Sequence, residues 1–180
     1  MATTTQPGAL PALLGRVPDR AIFATVSATC LAFILTAIFY FQEHLGLEPC
    51  PMCILSRYTF ILIGVVSLVA AIHGPGGVAL KIYGGVLALL AVIGIGISIR
   101  HSYLQHFPPK METCGADLDF ILNTMPLAQA LPRMFSGTGS CSKVDWSFIG
   151  LSIPEWAGVW YLAFLGLFLY VAFLKNKTPR

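Results

Sequence analysis

Four long runs of apolar residues, almost free of charge, limit the folds that this chain can adopt. A run of about 20 apolar residues is long enough to cross a bilayer as a helix. The first run, from Ala21 to Phe41, contains no charged residue, and only 11% of the whole chain is charged. Average soluble domains carry about 25% charged residues. We therefore predict an all-α membrane protein, built as a four-transmembrane-helix bundle with two outer loops.

The polar and turn-forming residues between these runs divide the chain into segments. The longest such segment, residues 101–155, contains an apolar stretch that predicts a short helix lying in the membrane interface. A loop packed on the helix ends is the alternative. The predicted segments are a tail at 1–19, transmembrane helices at 20–41, 50–72, 78–100 and 156–174, a first outer loop at 42–49, a turn at 73–77, a second outer loop at 101–155 and a tail at 175–180.

The distribution of basic residues predicts which side of the membrane each segment faces. Four crossings put both tails on one side, together with the turn between the second and third runs. The tails and residues 73–81 carry six Lys or Arg and one acidic residue, whereas the other side carries five Lys or Arg and seven acidic residues. The positive-inside rule therefore places both termini in the cytoplasm. Cysteines in the two loops then lie on the outer face, where disulfides persist.

The sequence Cys50-Pro51-Met52-Cys53 stands at the start of the second apolar run. Proline suits the first turn of a helix and fits poorly in its interior, so we expect the helix to begin at this motif. A thiol at a helix N-terminus lies near unsatisfied N–H groups and the positive end of the helix dipole, and both favour the thiolate. We interpret the pair as a reactive dithiol, with a static disulfide and half of a zinc site as alternatives.

A second cysteine pair, Cys114 and Cys141, lies in the second outer loop. Alone, such a pair indicates a stabilising bridge that closes a long loop. Beside a reactive dithiol on the same face, it can instead exchange disulfides with that dithiol through mixed intermediates. The fifth cysteine, Cys30, lies inside the first apolar run and is interpreted as a packing or lipid-facing residue.

Arg57 and His101 are candidates for the same site. Positions 50, 53 and 57 share one helical face, which puts Arg57 one turn from Cys53. A permanent cation at membrane depth is costly and indicates function, here stabilisation of the Cys53 thiolate or of an acceptor oxygen. His101 ends the third run on the same side, where it could donate a proton or hydrogen bond to a reduced acceptor. Snorkelling for Arg57 and an ordinary interfacial position for His101 are the alternatives.

Electrons released by outer dithiols need an acceptor, and the sequence contains no haem, flavin or iron–sulfur motif. A lipid-soluble carrier in the bilayer would meet this need. The residues alone therefore predict a membrane thiol oxidoreductase with a small hydrophobic electron acceptor and no bound metal. The net charge of +3 is too small and too scattered to indicate nucleic-acid binding. Walker-type loops, dinucleotide fingerprints and zincin motifs are absent from the sequence.

An ordered set of motifs along nearly the whole chain resembles the bacterial disulfide bond formation protein B family, DsbB. In chain order, the set consists of Cys50-Pro-Met-Cys53, Arg57, Arg100-His101, Tyr103-Leu-Gln-His106, Cys114, Cys141 and the run from Trp146 to Trp156. A CxxC motif alone would be weak, but this ordered combination across four helices is specific. The resemblance implies a multi-pass protein of the bacterial inner membrane whose redox cysteines face the periplasm.

The resemblance also implies an enzyme, a protein-disulfide:quinone oxidoreductase that sustains disulfide bond formation. A reduced DsbA-like periplasmic thiol oxidase attacks the Cys114–Cys141 disulfide, and Cys114 forms the mixed disulfide. Cys141 then exchanges with Cys50, and Cys53 faces ubiquinone or menaquinone of the membrane quinone pool. The residues that correspond to the quinone site are Cys53, Arg57 and His101.

Three other interpretations stay open. A relative of vitamin K epoxide reductase would also couple thiols to quinones, but its CxxC typically belongs to the last helix, whereas the motif here opens the second. A non-enzymatic membrane protein would use both cysteine pairs as structural disulfides. A metal-binding membrane protein would bind zinc or copper in competition with thiol alkylation.

Aromatic and small residues in the apolar runs predict packing rather than chemistry. The residues interpreted as interfacial anchors are Trp146, Trp156, Trp160 and Tyr161. The residues expected to let the third helix pack closely are Gly84, Gly85, Gly94, Gly96 and Ser98.

Overall fold

The computed structural model describes residues 18–47, 49–107 and 146–174, which form four long helices and one small hairpin. Each helix is long and apolar enough to cross a membrane, so the predicted all-α, four-helix membrane fold is confirmed. Most of the two predicted tails lies outside the described residues. So does most of the second outer loop, with Cys114, Cys141 and the interfacial helix predicted there.

The first helix, α1, spans Asp19–Leu35 and continues as a π-helix over Thr36–His44. Threonines on its exposed face return their hydroxyls to the helix backbone. Thr25 Oγ1 donates to the carbonyl of Ala21 at 2.8 Å, and Thr29 Oγ1 donates to the carbonyl of Thr25 at 2.9 Å. Polar groups that face lipid must be satisfied within the protein, and these bonds satisfy them.

The second and third helices, α2 over Pro51–His73 and α3 over Val78–His106, are joined by a glycine-containing turn. Gly74 ends α2 in the left-handed region with φ 62°, and its N–H donates to the carbonyl of Ala70 at 2.9 Å. The Arg20 guanidinium occupies the space that a Cβ at Gly74 would need. The start of α1 and the α2–α3 turn therefore lie at the same end of the bundle.

A short antiparallel hairpin precedes the last helix. Its strands, β1 over Ser147–Phe148 and β2 over Leu151–Ser152, are linked by two residues with positive φ, Ile149 at 54° and Gly150 at 77°. Two residues with positive φ match the twist of a tight hairpin. The indole N–H of Trp156 donates to the carbonyl of Phe148 at 3.1 Å and ties the hairpin to the helix that follows.

The last helix, α4, spans Ile153–Leu169 and continues as a π-helix over Tyr170–Leu174. It begins before residue 156, where the apolar run predicts its start, because its first turn is capped. The Glu155 carboxylate accepts hydrogen bonds from the Ser152 N–H at 2.7 Å and from the Ser152 hydroxyl at 3.0 Å. A glutamate at the third helical position that bonds back to the N–H of the residue before the helix is part of a capping box, which is a helix-start signal. The third helix also extends beyond its predicted end at residue 100 and continues to His106.

The core of the bundle is built around aromatic rings from three helices. In chain order the helices pack α1 on α2, α2 on α3 and α3 on α4. Phe60 of α2 stacks on Tyr161 of α4 with ring centroids 4.4 Å apart, and Phe33 of α1 meets Phe60 edge-on at 5.5 Å. Tyr161 is fully buried, so the prediction that it is an interfacial anchor is wrong. Its hydroxyl finds a partner inside the bundle.

Small residues on α3 allow α4 to approach, but only two of the four predicted glycines do so. A Cβ at Gly94 would lie 2.5 Å from the Tyr161 ring, and a Cβ at Gly84 would lie 2.8 Å from the Ala172 side chain. Among the residues that the structure describes, no atom lies within 4 Å of such a Cβ at Gly85 or Gly96, which contradicts their predicted packing role. Gly84 and Gly94 therefore face α4, whereas their neighbours Gly85 and Gly96 do not.

Candidate functional site

The candidate site is built on the first turn of α2. Cys50 is the N-cap, in extended conformation, and Pro51 opens the helix without needing a backbone hydrogen-bond partner. The Cys53 N–H donates to Cys50 Sγ at 3.3 Å, so the first sulfur caps the turn that carries the second. The two Sγ atoms lie 2.9 Å apart. The helix therefore begins at the motif, as predicted, and its first turn brings the two thiols into contact.

His101 reaches the dithiol from α3. Because α3 continues past residue 100, His101 lies within a helical turn, and only 4% of its surface is exposed. Its Nε2 lies 3.6 Å from Cys50 Sγ. An imidazole at this distance can exchange a proton with the sulfur through a small movement. His44, by contrast, is exposed on the π-helical end of α1 and is not in the group that His101 forms with the two cysteines.

Arg57 lies one turn below the dithiol, half-buried, and is held by the π-helical part of α1. Its guanidinium donates from Nη1 to Gln42 Oε1 and from Nη2 to the carbonyl of Ala37 at 3.3 Å. Arg57 lies close enough to both sulfurs to favour a thiolate there electrostatically. Two anchoring bonds keep this cation beside the sulfurs, whereas a snorkelling side chain would extend away from them.

An apolar cavity of about 400 Å³ opens beside these groups. It is bounded by both thiols, Arg57 and His101, and by rings of α1, α2 and α4 such as Phe33, Phe60 and Trp160. Its remaining lining residues are Ile34, Thr36, Ala37, Phe41, Leu47, Pro49, Ser56, Ile97, Ser98, Gln105, Trp146, Phe148, Ile153, Pro154, Trp156 and Ala157. A concave, mostly apolar space with a few convergent polar groups is the usual form of a small-molecule site.

Two polar residues, Gln42 beside the cavity and Ser98 in its wall, are not identified as site residues by the sequence motifs. Gln42 holds Arg57, and Ser98 Oγ is buried with no hydrogen-bond partner within the described ranges. A polar side chain inside an otherwise apolar membrane helix is itself a signal of function, and it could have indicated Ser98. Nothing in the sequence indicates that Gln42 would contact a residue of the next helix.

A tyrosine from α4 supports the site from below. The Tyr161 hydroxyl donates to the carbonyl of Ser56 at 2.9 Å and lies 3.2 Å from the Ser56 hydroxyl. Ser56 lies between Cys53 and Arg57 in the chain, so this bond fixes the α2 backbone directly beneath the dithiol.

The structure thus brings together four of the six predicted site residues, namely Cys50, Cys53, Arg57 and His101. Cys114 and Cys141 lie outside the described residues, so their part in the site stays a prediction. Cys30 is 1% exposed and belongs to the apolar core. Across the described ranges, Cys50, Cys53 and His101 form a group whose ligand atoms all lie within 4.8 Å of one another.

Comparison with known proteins gives a consistent result. Residues 19–171 match the family model described as disulfide bond formation protein DsbB. A protein named disulfide bond formation protein B from Aromatoleum aromaticum is 49% identical over 138 residues, which cover 77% of this chain and 82% of the relative. A protein of the same name from a Polaromonas species is 38% identical over 161 residues, covering 89% of this chain and 93% of the relative.

Proposed function

Because this chain belongs to the disulfide bond formation protein DsbB family, we propose that it reoxidises a DsbA-like periplasmic thiol oxidase. The electrons pass through two cysteine pairs to a quinone of the membrane. One observation carries this proposal: the Cys50–Cys53 dithiol, an anchored arginine and a buried histidine all border one apolar cavity inside a membrane helix bundle. A ring with polar oxygens and an apolar tail suits such a lining, so ubiquinone and menaquinone both fit the cavity's chemistry.

The reaction at the dithiol is a two-electron oxidation. Closing the Cys50–Cys53 disulfide releases two electrons and two protons, and the quinone that accepts them becomes a quinol. The Arg57 guanidinium favours the Cys53 thiolate electrostatically, as does the N-terminus of α2. His101 Nε2, 3.6 Å from Cys50 Sγ, is the group that can take the Cys50 proton and pass it on. Gln42 positions Arg57 for this role.

The second pair, Cys114 and Cys141, connects the dithiol to the soluble partner in this proposal. The reduced partner is oxidised as it opens the Cys114–Cys141 disulfide, with Cys114 in the mixed disulfide. Cys141 then attacks Cys50 of the closed Cys50–Cys53 disulfide, which forms a Cys141–Cys50 disulfide and frees the Cys53 thiolate. The Cys114 thiolate, released from the partner, attacks Cys141, which restores the loop disulfide and leaves Cys50 and Cys53 as the dithiol. Each exchange moves two electrons and forms one disulfide for each one it opens.

The orientation belongs to the proposal as well. Both termini face the cytoplasm, and the dithiol lies at the periplasmic end. Arg20 and the α2–α3 turn lie together at the end opposite the dithiol, which agrees with the basic side being internal. A membrane-impermeant maleimide added to reduced spheroplasts should therefore label Cys53. Labelling only after the membrane is permeabilised would reverse the assigned orientation.

Quinone-coupled thiol oxidation tests the proposed reaction. The purified protein in detergent is mixed with a reduced thioredoxin-like periplasmic oxidase and a short-chain ubiquinone, or menaquinone, and quinone absorbance is followed. We expect catalytic quinone loss that vanishes in Cys53→Ser. Arg57→Met should lower the rate by about 100-fold, the usual effect of removing one stabilising group from a site of developing charge.

The matched control is Cys30→Ala, which removes a thiol from the same bundle without touching the cavity lining. It should keep turnover. Folded protein with both cysteine pairs oxidised that consumes neither quinone would refute the reaction and favour purely structural disulfides. Turnover that survives Cys53→Ser would refute the relay.

A further inference from the structure

The dithiol and His101 together have the composition of a metal site. Two thiolates and one imidazole are ligands for thiophilic cations, and a Cys₂His set with a fourth open position is a known form of zinc site. Hard cations such as Mg²⁺ and Ca²⁺ need oxygen ligands, and the three-residue group contains no carboxylate. We propose that the reduced Cys50–Cys53–His101 group binds one Zn²⁺ ion.

The distances support this assignment. A tetrahedral Zn²⁺ with Zn–S near 2.3 Å and Zn–N near 2.0–2.1 Å places sulfur and nitrogen about 3.6 Å apart. Cys50 Sγ and His101 Nε2 are 3.6 Å apart. The same geometry needs two sulfurs about 3.8 Å apart, whereas the two Sγ atoms are 2.9 Å apart. Cys53 is only half-buried, so a rotation of its side chain toward the cavity can open this distance.

The surroundings also suit the ion. Binding follows the balance of two Cys–SH groups plus Zn²⁺ giving a zinc bis-thiolate plus two protons, with no electron transferred. The bis-thiolate is neutral overall, so it adds no net charge to a cavity that already contains Arg57. The Arg57 guanidinium donates its hydrogen bonds to Gln42 and to the carbonyl of Ala37. These bonds hold it near the sulfurs without occupying the sulfur atoms that would bind the ion. The fourth position would open to the cavity, where a water molecule can complete the tetrahedron.

Binding of this kind depends on redox state. The sulfurs of a closed Cys50–Cys53 disulfide are not thiolates and are poor zinc ligands, so only the reduced form takes the ion. A bound Zn²⁺ would occupy both sulfurs and the His101 nitrogen, and would hold the dithiol reduced. Zinc binding itself does not require the proposed quinone reaction. The consequence that bound zinc would block turnover does rest on the proposed quinone reaction.

Equilibrium zinc binding tests the inference. The protein carrying Cys114→Ser and Cys141→Ser, which leaves a single outer cysteine pair, is reduced with a phosphine, desalted and titrated with Zn²⁺ against a chromophoric chelator. We expect one Zn²⁺ per reduced protein and loss of that binding after oxidation with diamide. X-ray absorption should show two sulfur ligands near 2.3 Å and at least one nitrogen near 2.0 Å.

His101→Asn and His106→Asn form a matched pair for the third ligand. Both substitutions remove an imidazole from the end of α3, but His106 is exposed and lies outside the three-residue group. Loss of an outer-shell partner weakens metal sites by about 10–100-fold, so loss of a direct ligand should weaken zinc binding by more than about 100-fold. His106→Asn should bind as its parent does.

Two results would overturn the site. One is equal zinc affinity in the reduced and oxidised forms of the same protein, a comparison that needs no substitution at Cys50 or Cys53. The other is equal affinity in His101→Asn and His106→Asn. Because the titration contains neither quinone nor partner protein, its failure leaves the quinone assay unaffected, and failure of the quinone assay leaves the titration interpretable.

Discussion

Cys30 and Cys50 are both buried cysteines, 1% and 8% exposed, yet they lie in regions of opposite character. Cys30 belongs to the apolar core, where its Cβ would lie 3.1 Å from a Cβ added at Gly64. Cys50 lies at a helix N-cap beside Cys53, an imidazole and a cavity. Burial therefore does not separate a structural thiol from a reactive one. The neighbours of the sulfur and the space in front of it do.

The same contrast holds for the polar groups of the two regions. In the core, the Tyr161 hydroxyl has its hydrogen bonds satisfied by Ser56, and its ring fills the space above Gly94. At the dithiol end, the polar atoms of Arg57 and His101 border an open cavity. A satisfied and close-packed polar group rigidifies the bundle, whereas a polar group that faces a cavity is placed to meet a ligand.

The largest expected difference between the apolar core and the dithiol end is in the rate of thiol alkylation. In reduced protein carrying Cys114→Ser and Cys141→Ser, we expect Cys53 to react with a small maleimide at least about 10³-fold faster than Cys30. Cys53 lies at a helix N-terminus next to Arg57 and a cavity, which favours an accessible thiolate. Cys30 reacts only when the core opens. Mass spectrometry of peptides from a timed alkylation measures both rates, and similar rates would remove the distinction drawn between the regions.

The sequence predicts the four membrane-spanning helices because their length and lack of charge are local properties. It also predicts the cap at Cys50, since a proline in the first turn is a local signal. The contact between Cys50 and His101 is different, because it joins residues from α2 and α3 and depends on how those helices pack. The motif resemblance indicates both residues, but it gives neither the 3.6 Å distance nor the metal-ligand geometry.

The errors of the sequence interpretation have the same origin. Tyr161 looks like an interfacial aromatic, and only the position of Ser56 on α2 shows that its hydroxyl is satisfied inside the core. Gly94 and Gly96 are equivalent in sequence, and only the Tyr161 ring distinguishes them. The early start of α4 is different, because the Ser152 and Glu155 spacing is a local capping signal that could have been recognised.

The next largest expected effect is on stability. Alanine at Gly94 should destabilise the bundle, whereas alanine at Gly96 should not. Gly94→Ala puts a methyl group 2.5 Å from the ring of fully buried Tyr161, which cannot move without disturbing the core. We expect a loss of about 1–3 kcal/mol in the free energy of unfolding, typical of overpacking. Gly96→Ala meets no neighbour within 4 Å in the described part of the chain and should be neutral or stabilise by up to about 1 kcal/mol through helix propensity.

Thermal unfolding of both variants in one detergent gives the comparison directly. Equal shifts in Tm would mean that Tyr161 does not pack on Gly94, and the close approach of α3 and α4 would have to be revised. The dithiol region offers no equivalent test, because a cavity tolerates an added methyl group that a packed core does not.

The smallest expected effect tests the bond that links the two regions. Tyr161→Phe keeps the ring stacked on Phe60 but removes the hydroxyl that donates to the carbonyl of Ser56. The loss should be about 1 kcal/mol in the free energy of unfolding, the usual net value of one such hydrogen bond. Tyr103→Phe is the matched control, because it removes a hydroxyl from a half-exposed ring and should change Tm very little. If the two substitutions lower Tm equally, the Tyr161–Ser56 bond does not brace the α2 backbone. The dithiol turn would then be held by its own cap and by its contacts with α1 and α3, and the core and the site would be independent parts of one bundle.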